Sequence, residues 1–290
     1  MPTKPKDRAR DVLLGVLYGD CLGAVYEFST GPLTGPIAIG VSTFGHPAGR
    51  GTDDTETTVA VAQGLVDAAQ NRESPTKAIA DRLLAWFEGH PPDVGGTTAN
   101  GLLSCRDTGN PRSGSTASNG IANGSLMRSA PFALISGDGA DLAVDSSRTT
   151  HAHPEVLGCV RVYVWMLQSL LDGAHIDLDM IEEVAGADLG LHPGLVLEEI
   201  PCAGIGHAIY ALDLAIWAAT RAADFGNSME SIIRLGGDTD TNGAICGAVL
   251  AARFGFPEEL GADLDHDRVR ELSELAGNLV KIDATMLERQ

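Results

Sequence analysis

In "DRARDVLLGVLYGDCLGAVYEF" (7–28), apolar residues fall at Val12, Leu13, Val16, Leu17, Leu22 and Val25. That is roughly the spacing of one helix face, broken by small residues that permit close packing. A Gly- and Pro-rich loop follows, from Ser29 to Gly51. The run "TVAVAQGLVDAAQ" then predicts a buried helix that opens just after two adjacent aspartates. "SPTKAIADRLLAWFEG" repeats the form, with Ser74 as N-cap and Pro75 at the first helical position. Residues 89–123 read as the most loop-like region, with one short apolar patch at Leu102 and Leu103. A loop of that length is more often functional than idle. Helical patterns return at "SLMRSAPFALI", "PEVLGCVRVYVWMLQSLL", "GHAIYALDLAIWAAT", "GAICGAVLAARFG" and "DRVRELSELAGNLV". Alternating strand patterns are scarce, so an all-α protein is predicted. No charged or flexible linker divides it, and residues 1–290 are expected to form one domain.

Composition narrows the partners. A hydrophobic content of 44% over 290 residues supports a sizeable core. The net charge of -19 disfavours nucleic-acid backbones and anionic membranes. It also means that an anionic substrate would need bound cations. The five cysteines, Cys21, Cys105, Cys159, Cys202 and Cys246, are odd in number and form no C-x-x-C pair. That argues against a disulfide framework or a zinc site and for a reducing compartment. The polar start "MPTKPKDRAR" has no apolar run behind it. No charge-free apolar stretch reaches the ~18 residues of a membrane span. A cytoplasmic monomer is expected.

Two stretches carry candidate chemistry. "GRGTDDTETT" (49–58) places Asp53 and Asp54 between Thr52 and Thr55, and "RLGGDTDTNGAICGAVLA" (234–251) alternates Asp238 and Asp240 with Thr239 and Thr241. Each cluster stands where a helix begins. One acid at a helix start accepts backbone N–H groups and complements the dipole. Capping needs only one such residue, and each cluster has two Asp and two Thr. The excess matches what an oxygen-liganded cation takes, and four carboxylates would balance two divalent ions. Ligand type suits Mg²⁺ and admits Mn²⁺ or Ca²⁺ as substitutes.

The motifs "GDCLGAVYEF", "GTDDT", "DVGGTTANGL", "NGSLMRSAP", "THAHPEV" and "LGGDTDTNGAICGA" occur in one order. In that order the chain resembles the ADP-ribosylglycohydrolases, from about residue 11 to residue 255. The resemblance implies a compact all-α orthogonal bundle around a binuclear Mg²⁺ site. It implies hydrolysis of the bond between ADP-ribose and a protein side chain, linked through serine or arginine. By motif position Thr52, Asp53 and Asp54 stand as first-cluster ligands, with Asp54 also catalytic, and Asp238, Asp240 and Thr241 as second-cluster ligands. Glu27 reads alone as a solvated acid at a helix end; the resemblance makes it the acid near the scissile bond.

Other positions keep two readings. Asn123, Gly124 and Ser125 precede a helical run, so free N–H groups there could face a diphosphate, with Met127 in the same loop. Arg128 either pairs with phosphate or turns inward onto backbone carbonyls. His151 is a substrate contact by resemblance, and His153 is placed on the surface. Asp93, Gly95, Gly96 and Thr97 either run under the substrate or simply turn into a helix. His207 stands where many relatives carry an aromatic, so adenine stacking falls to Tyr210 or Phe132. Two other functions fit the same residues: a non-catalytic ADP-ribose binder, and a metal-dependent hydrolase of a free nucleotide diphosphate. Residues 29–50 and 105–121 are expected to set the linkage.

Overall fold

A computed structural model describes residues 5–117, 120–192, 196–200 and 206–287. Twelve α-helices occur among them: α1 Pro5–Gly23, α2 Asp53–Asn71, α3 Pro75–Glu88, α4 Gly96–Thr108, α5 Gly139–Ser147, α6 Pro154–Leu171, α7 Ile181–Ala185, α8 Ala208–Thr220, α9 Phe225–Arg234, α10 Thr239–Phe254, α11 His266–Leu279 and α12 Ala284–Leu287. Two strands of two residues each, β1 Ser29–Thr30 and β2 Gly236–Gly237, pair antiparallel. The all-α expectation holds. Cys202 lies outside the described residues; Cys21, Cys105, Cys159 and Cys246 are buried.

The centre of the fold is α10, in which every residue from Thr239 to Ala252 is buried. Such a helix cannot be amphipathic; it must be small or apolar all round. Against it runs α1, antiparallel and very close. A Cβ on Gly15 would lie 2.2 Å from the Gly247 carbonyl oxygen. One on Gly19 would lie 1.9 Å from that of Gly243, and one on Gly23 2.2 Å from that of Thr239. Glycines four residues apart therefore let two backbones touch along a seam. The small residues in the first helical pattern are this seam. Beyond α1 the pairing continues through β1 and β2, where Ser29 faces Gly237. The seam aligns the end of α1 with the start of α10.

Gly19→Ala is expected to cost at least about 3 kcal/mol, because backbone, not a flexible side chain, must give way. Urea unfolding would read this as a lower midpoint at unchanged slope. Gly226→Ala in α9, where an added Cβ meets nothing within 4 Å, is the control and should be neutral or slightly stabilising.

Three sequence expectations need correction. The first helix ends at Gly23, and Glu27 lies in the turn beyond it. The region 89–123 contains α4, whose buried positions are Thr98, Gly101, Leu102 and Cys105. That spacing is helical, but two of its four members are Thr and Gly, so the stripe is faint to hydropathy. "SLMRSAPFALI" is no α-helix: a turn over 124–128 leads into a 3-10 segment, Ala130–Leu134. Helices α5, α7, α9 and α12 have four to ten residues, too few for a repeated apolar stripe to stand out.

Candidate functional site

The start of α2 is held by a residue from α1. Asp20, fully buried, accepts through Oδ2 from Thr52 N at 2.9 Å, Thr55 N at 3.0 Å and Thr55 Oγ1 at 2.5 Å. Thr52 occupies the N-cap and accepts from Asp54 N at 3.4 Å. Capping is thus done by Asp20 and Thr52, and the carboxylates of Asp53 and Asp54 are released from it. At α10 the same separation recurs. Asp238 stands at the N-cap without a side-chain cap bond; its Oδ2 accepts instead from Asn123 Nδ2 at 2.5 Å.

The two clusters meet. Thr241 Oγ1 donates to Asp54 Oδ2 at 3.2 Å across 187 residues of sequence. Asp53, Asp238, Asp240 and Thr241 line one cavity of about 250 Å³ with Glu27 and Asp93. Asp54 and Thr52 sit buried behind that lining. Glu27, Asp93 and Asp240 each offer one oxygen, all within 4.8 Å of one another. The sequence grouped Asp93 with the substrate contacts; folding puts it in the acidic cluster.

Burial and mutual repulsion act together on these groups. Burial first, then Asp53 and Asp240, raise the Asp54 carboxyl well above its ordinary range. Asp240 rises through burial, then Asp238 and Glu27, and Asp53 through burial, then Asp93. Asp238 is raised by burial against the Asn123 hydrogen bond. Glu27 is pushed up to about 8, by burial and then by Asp93 and Asp238. Six carboxyls cannot all ionise here without a compensating charge. Several oxygens also lack hydrogen-bond partners although buried: Asp20 Oδ1, Glu27 Oε2 and Asp54 Oδ1. Hard oxygen donors, excess negative charge and orphaned carboxylate atoms fit a hard divalent cation.

One stretch of the cavity wall is neutral. Gly95, Gly96, Thr97, Thr98, Asn123, Gly124, Met127, His151 and Gly206 line it, and Phe28 stands at its edge. Asn123 N donates to Gly206 O at 2.9 Å, fixing this wall to the segment before α8. Ser125 does not line the cavity; its Oγ accepts from Ser147 Oγ at 2.7 Å. Arg128 takes the inward alternative: Nη1 donates to Gly124 O at 2.9 Å and Nη2 to Thr150 Oγ1 at 2.6 Å. Thr150 Oγ1 lies 2.7 Å from His151 Nδ1. His151 is fully buried, its Nε2 has no partner, and burial together with Arg128 lowers its pKa to about 3.

His153 is not a free surface residue. It caps α6, its Nδ1 accepting from Glu155 N at 3.4 Å. Phe132 is buried in the core and cannot meet an adenine; Tyr210 packs on His207, ring centroids 4.6 Å apart. Ser74 holds the N-cap of α3 but makes no side-chain cap bond; Pro75 opens the helix as expected. The sequence marks Asp20 as a candidate for packing or for supporting the site, and does not single out Thr98 or Thr150. Asp20 and Thr150 act through contacts distant in sequence, which no local motif signals. No helix among the described residues is long and apolar enough to cross a membrane.

The ADP-ribosylglycohydrolase family model matches residues 1–286. The ADP-ribosyl-dinitrogen-reductase glycohydrolase of Rhodospirillum rubrum is 28% identical over 273 residues, covering 87% of each chain. An ADP-ribosylarginine hydrolase of Pseudomonas putida (strain GB-1) is 25% identical over 275 residues, covering 88% of this chain and 72% of its own. A solved structure titled ADP-ribosylglycohydrolase-related protein complex superposes with a TM-score of 0.79 at 31% identity, over 96% of this chain and 98% of that one. With a match that spans nearly its whole length and an acidic cavity at its centre, the chain belongs to the ADP-ribosylglycohydrolase family, hydrolases of the glycosidic bond of ADP-ribose.

Proposed function

We propose that this protein is a divalent-cation-dependent hydrolase that releases ADP-ribose from modified protein side chains. The observation that carries the reading is the cavity shared by Glu27, Asp53, Asp93, Asp238 and Asp240, with Asp54 directly behind. Relatives named for arginine linkage favour arginine over serine as the attachment. Asp53, Asp54, Asp238 and Asp240, with Thr52, Thr241 and Asp93, would hold the cations. Two Mg²⁺ ions suit this donor set, and Mn²⁺ or Ca²⁺ would share it. When bound, the cations supply positive charge that draws ribose and phosphate oxygens into an acidic cavity and acidifies water.

The chain's own residues do the rest. Glu27 lines the cavity with an unpartnered oxygen, placed to take a proton from an attacking water or pass one to the leaving side chain. Gly96, Asn123, Gly124 and Met127 form the neutral wall against which the ADP-ribosyl group rests. Asn123 also holds Asp238 in place. Ser125 and Arg128 support that wall from behind. We further propose one domain, a monomer and a cytoplasmic location.

The test offers purified protein and Mg²⁺ three substrates: arginine-linked ADP-ribosyl protein, the serine-linked equivalent, and free ADP-ribose. Products are identified by mass. Intact ADP-ribose from the arginine conjugate is expected. AMP from the free nucleotide would instead mark a diphosphate hydrolase. Tight binding with no turnover would mark a binder.

A further inference from the structure

The contacts behind the neutral wall determine more than position. An arginine guanidinium has donors and no acceptor. At 2.6 Å, Arg128 Nη2 therefore donates to Thr150 Oγ1. Among the described residues, that hydroxyl has one other partner, His151 Nδ1 at 2.7 Å. With a lone pair already engaged by Arg128, the hydroxyl sends its own proton to Nδ1. Nδ1 is then an acceptor, and in a neutral imidazole the other nitrogen carries the hydrogen. The reverse arrangement would give Thr150 two incoming donors and leave its own proton unplaced in a fully buried site.

The free nitrogen lies beside Gly124 of the cavity lining. His151 lines the same cavity, and Nε2 is buried without a partner. A Cβ on Gly124 would come within 3.3 Å of Nε2, so the glycine keeps room beside the ring edge. Thr98 Oγ1 borders the same spot, 2.9 Å from where that Cβ would be.

We propose that Arg128 and Thr150 are positioning residues that lock His151 in the Nε2–H form, so that Nε2–H donates to an oxygen of the bound ADP-ribosyl group. Arg128 thus serves an oxygen ligand at one remove, through a hydroxyl and an imidazole. The donor is neutral and does not compete with cations for the carboxylates of the cavity. The ligand half of this inference rests on the proposed function; the tautomer half does not.

Nitrogen-15 NMR of histidine-labelled protein at pH 7 tests the tautomer directly. His151 is assigned by the signal that shifts in Thr150→Val and is lost in His151→Asn. A protonated Nε2 with an unprotonated Nδ1 is expected in the parent protein; a protonated Nδ1 overturns the proposal. Calorimetry with ADP-ribose tests the donor. Thr150→Val, which keeps shape and loses the hydroxyl, should weaken binding about tenfold, the scale of one neutral hydrogen bond. Thr150→Ser should restore both affinity and tautomer, which a merely structural role would not require. Unchanged affinity in Thr150→Val overturns the donor role. If the parent protein binds no ADP-ribose, the donor role falls with the ADP-ribosyl reading, and the NMR result still decides the tautomer.

Discussion

Asp54→Asn is expected to abolish ADP-ribose release, by at least about 10³-fold, and to make the cation-free protein more stable than its parent. The two effects have one origin. Asp54 is fully buried, touches Thr241 of the other cluster, and faces Asp53 and Asp240. Its carboxyl lies well above the ordinary range in the folded state. A carboxyl raised on folding binds more protons folded than unfolded, so stability is lost as pH rises through that window. For the cluster the window opens near the ordinary carboxylate value of about 4. At its upper end it includes the value of about 8 reached by Glu27. Melting in chelator should therefore show the parent losing Tm steadily from pH 5 to pH 8. Asp54→Asn should lose less, and lead by several degrees at the upper end. Adding Mg²⁺ should raise the parent most at high pH, where most carboxyls are ionised, and leave the variant nearly unmoved. A parent whose Tm in chelator rises with pH would refute the raised carboxyls. One that does not respond to Mg²⁺ would show that these acids hold no cation, and a variant that still responds fully would remove Asp54 from the ligand set.

Glu27→Gln should lower kcat by about 10² to 10⁴, the usual worth of a positioned proton-transfer group. It should leave ADP-ribose affinity within a few-fold of the parent. Glu27 differs from Asp54 in setting: it lies in a turn rather than at a helix start, and it is only partly buried. Its loss removes one of three oxygens grouped with Asp93 and Asp240, and the remaining acids can still gather a cation. The Mg²⁺ response of Tm should accordingly survive. A variant that turns over normally would refute the proton-transfer role. One that loses the Mg²⁺ response as well would recast Glu27 as a ligand. Rate and melting measured on one preparation separate the cases.

Much of the site was legible because its donors come in two short clusters at helix starts, where excess acid is conspicuous. What remained hidden has a common physical cause. Asp20 reads as one more helical acid, and only the fold shows it capping α2, 32 and 35 residues away. Asp93 in "PPDVGG" reads as a turn residue, because nothing local says that the turn abuts Glu27 and Asp240. Thr150 accepts from Arg128, 22 residues earlier, a contact no local pattern shows. The helix α4 stood only as one of two readings after Asp93, because its inward face relies on Thr98 and Gly101, residues that hydropathy does not mark. The helix-spaced glycines of α1 were visible as small residues, but their partners in α10 were not.

That glycine seam also orders the events of folding. It joins residue 15 to residue 247 and residue 23 to residue 239, contacts of very high sequence separation. The entropy of closing a ring grows only slowly with its size, so the arrangement is affordable at equilibrium. Kinetically it is another matter, since contacts of high sequence separation are the slow ones to find. During synthesis Glu27, Asp53, Asp54 and Asp93 emerge early and stay without Asp238 and Asp240 until most of the chain exists. A nascent chain therefore carries four of the six carboxyls and no enclosed cavity. The cavity is complete only with α10 packed against α1, because Asp240 and Thr241 come from that helix.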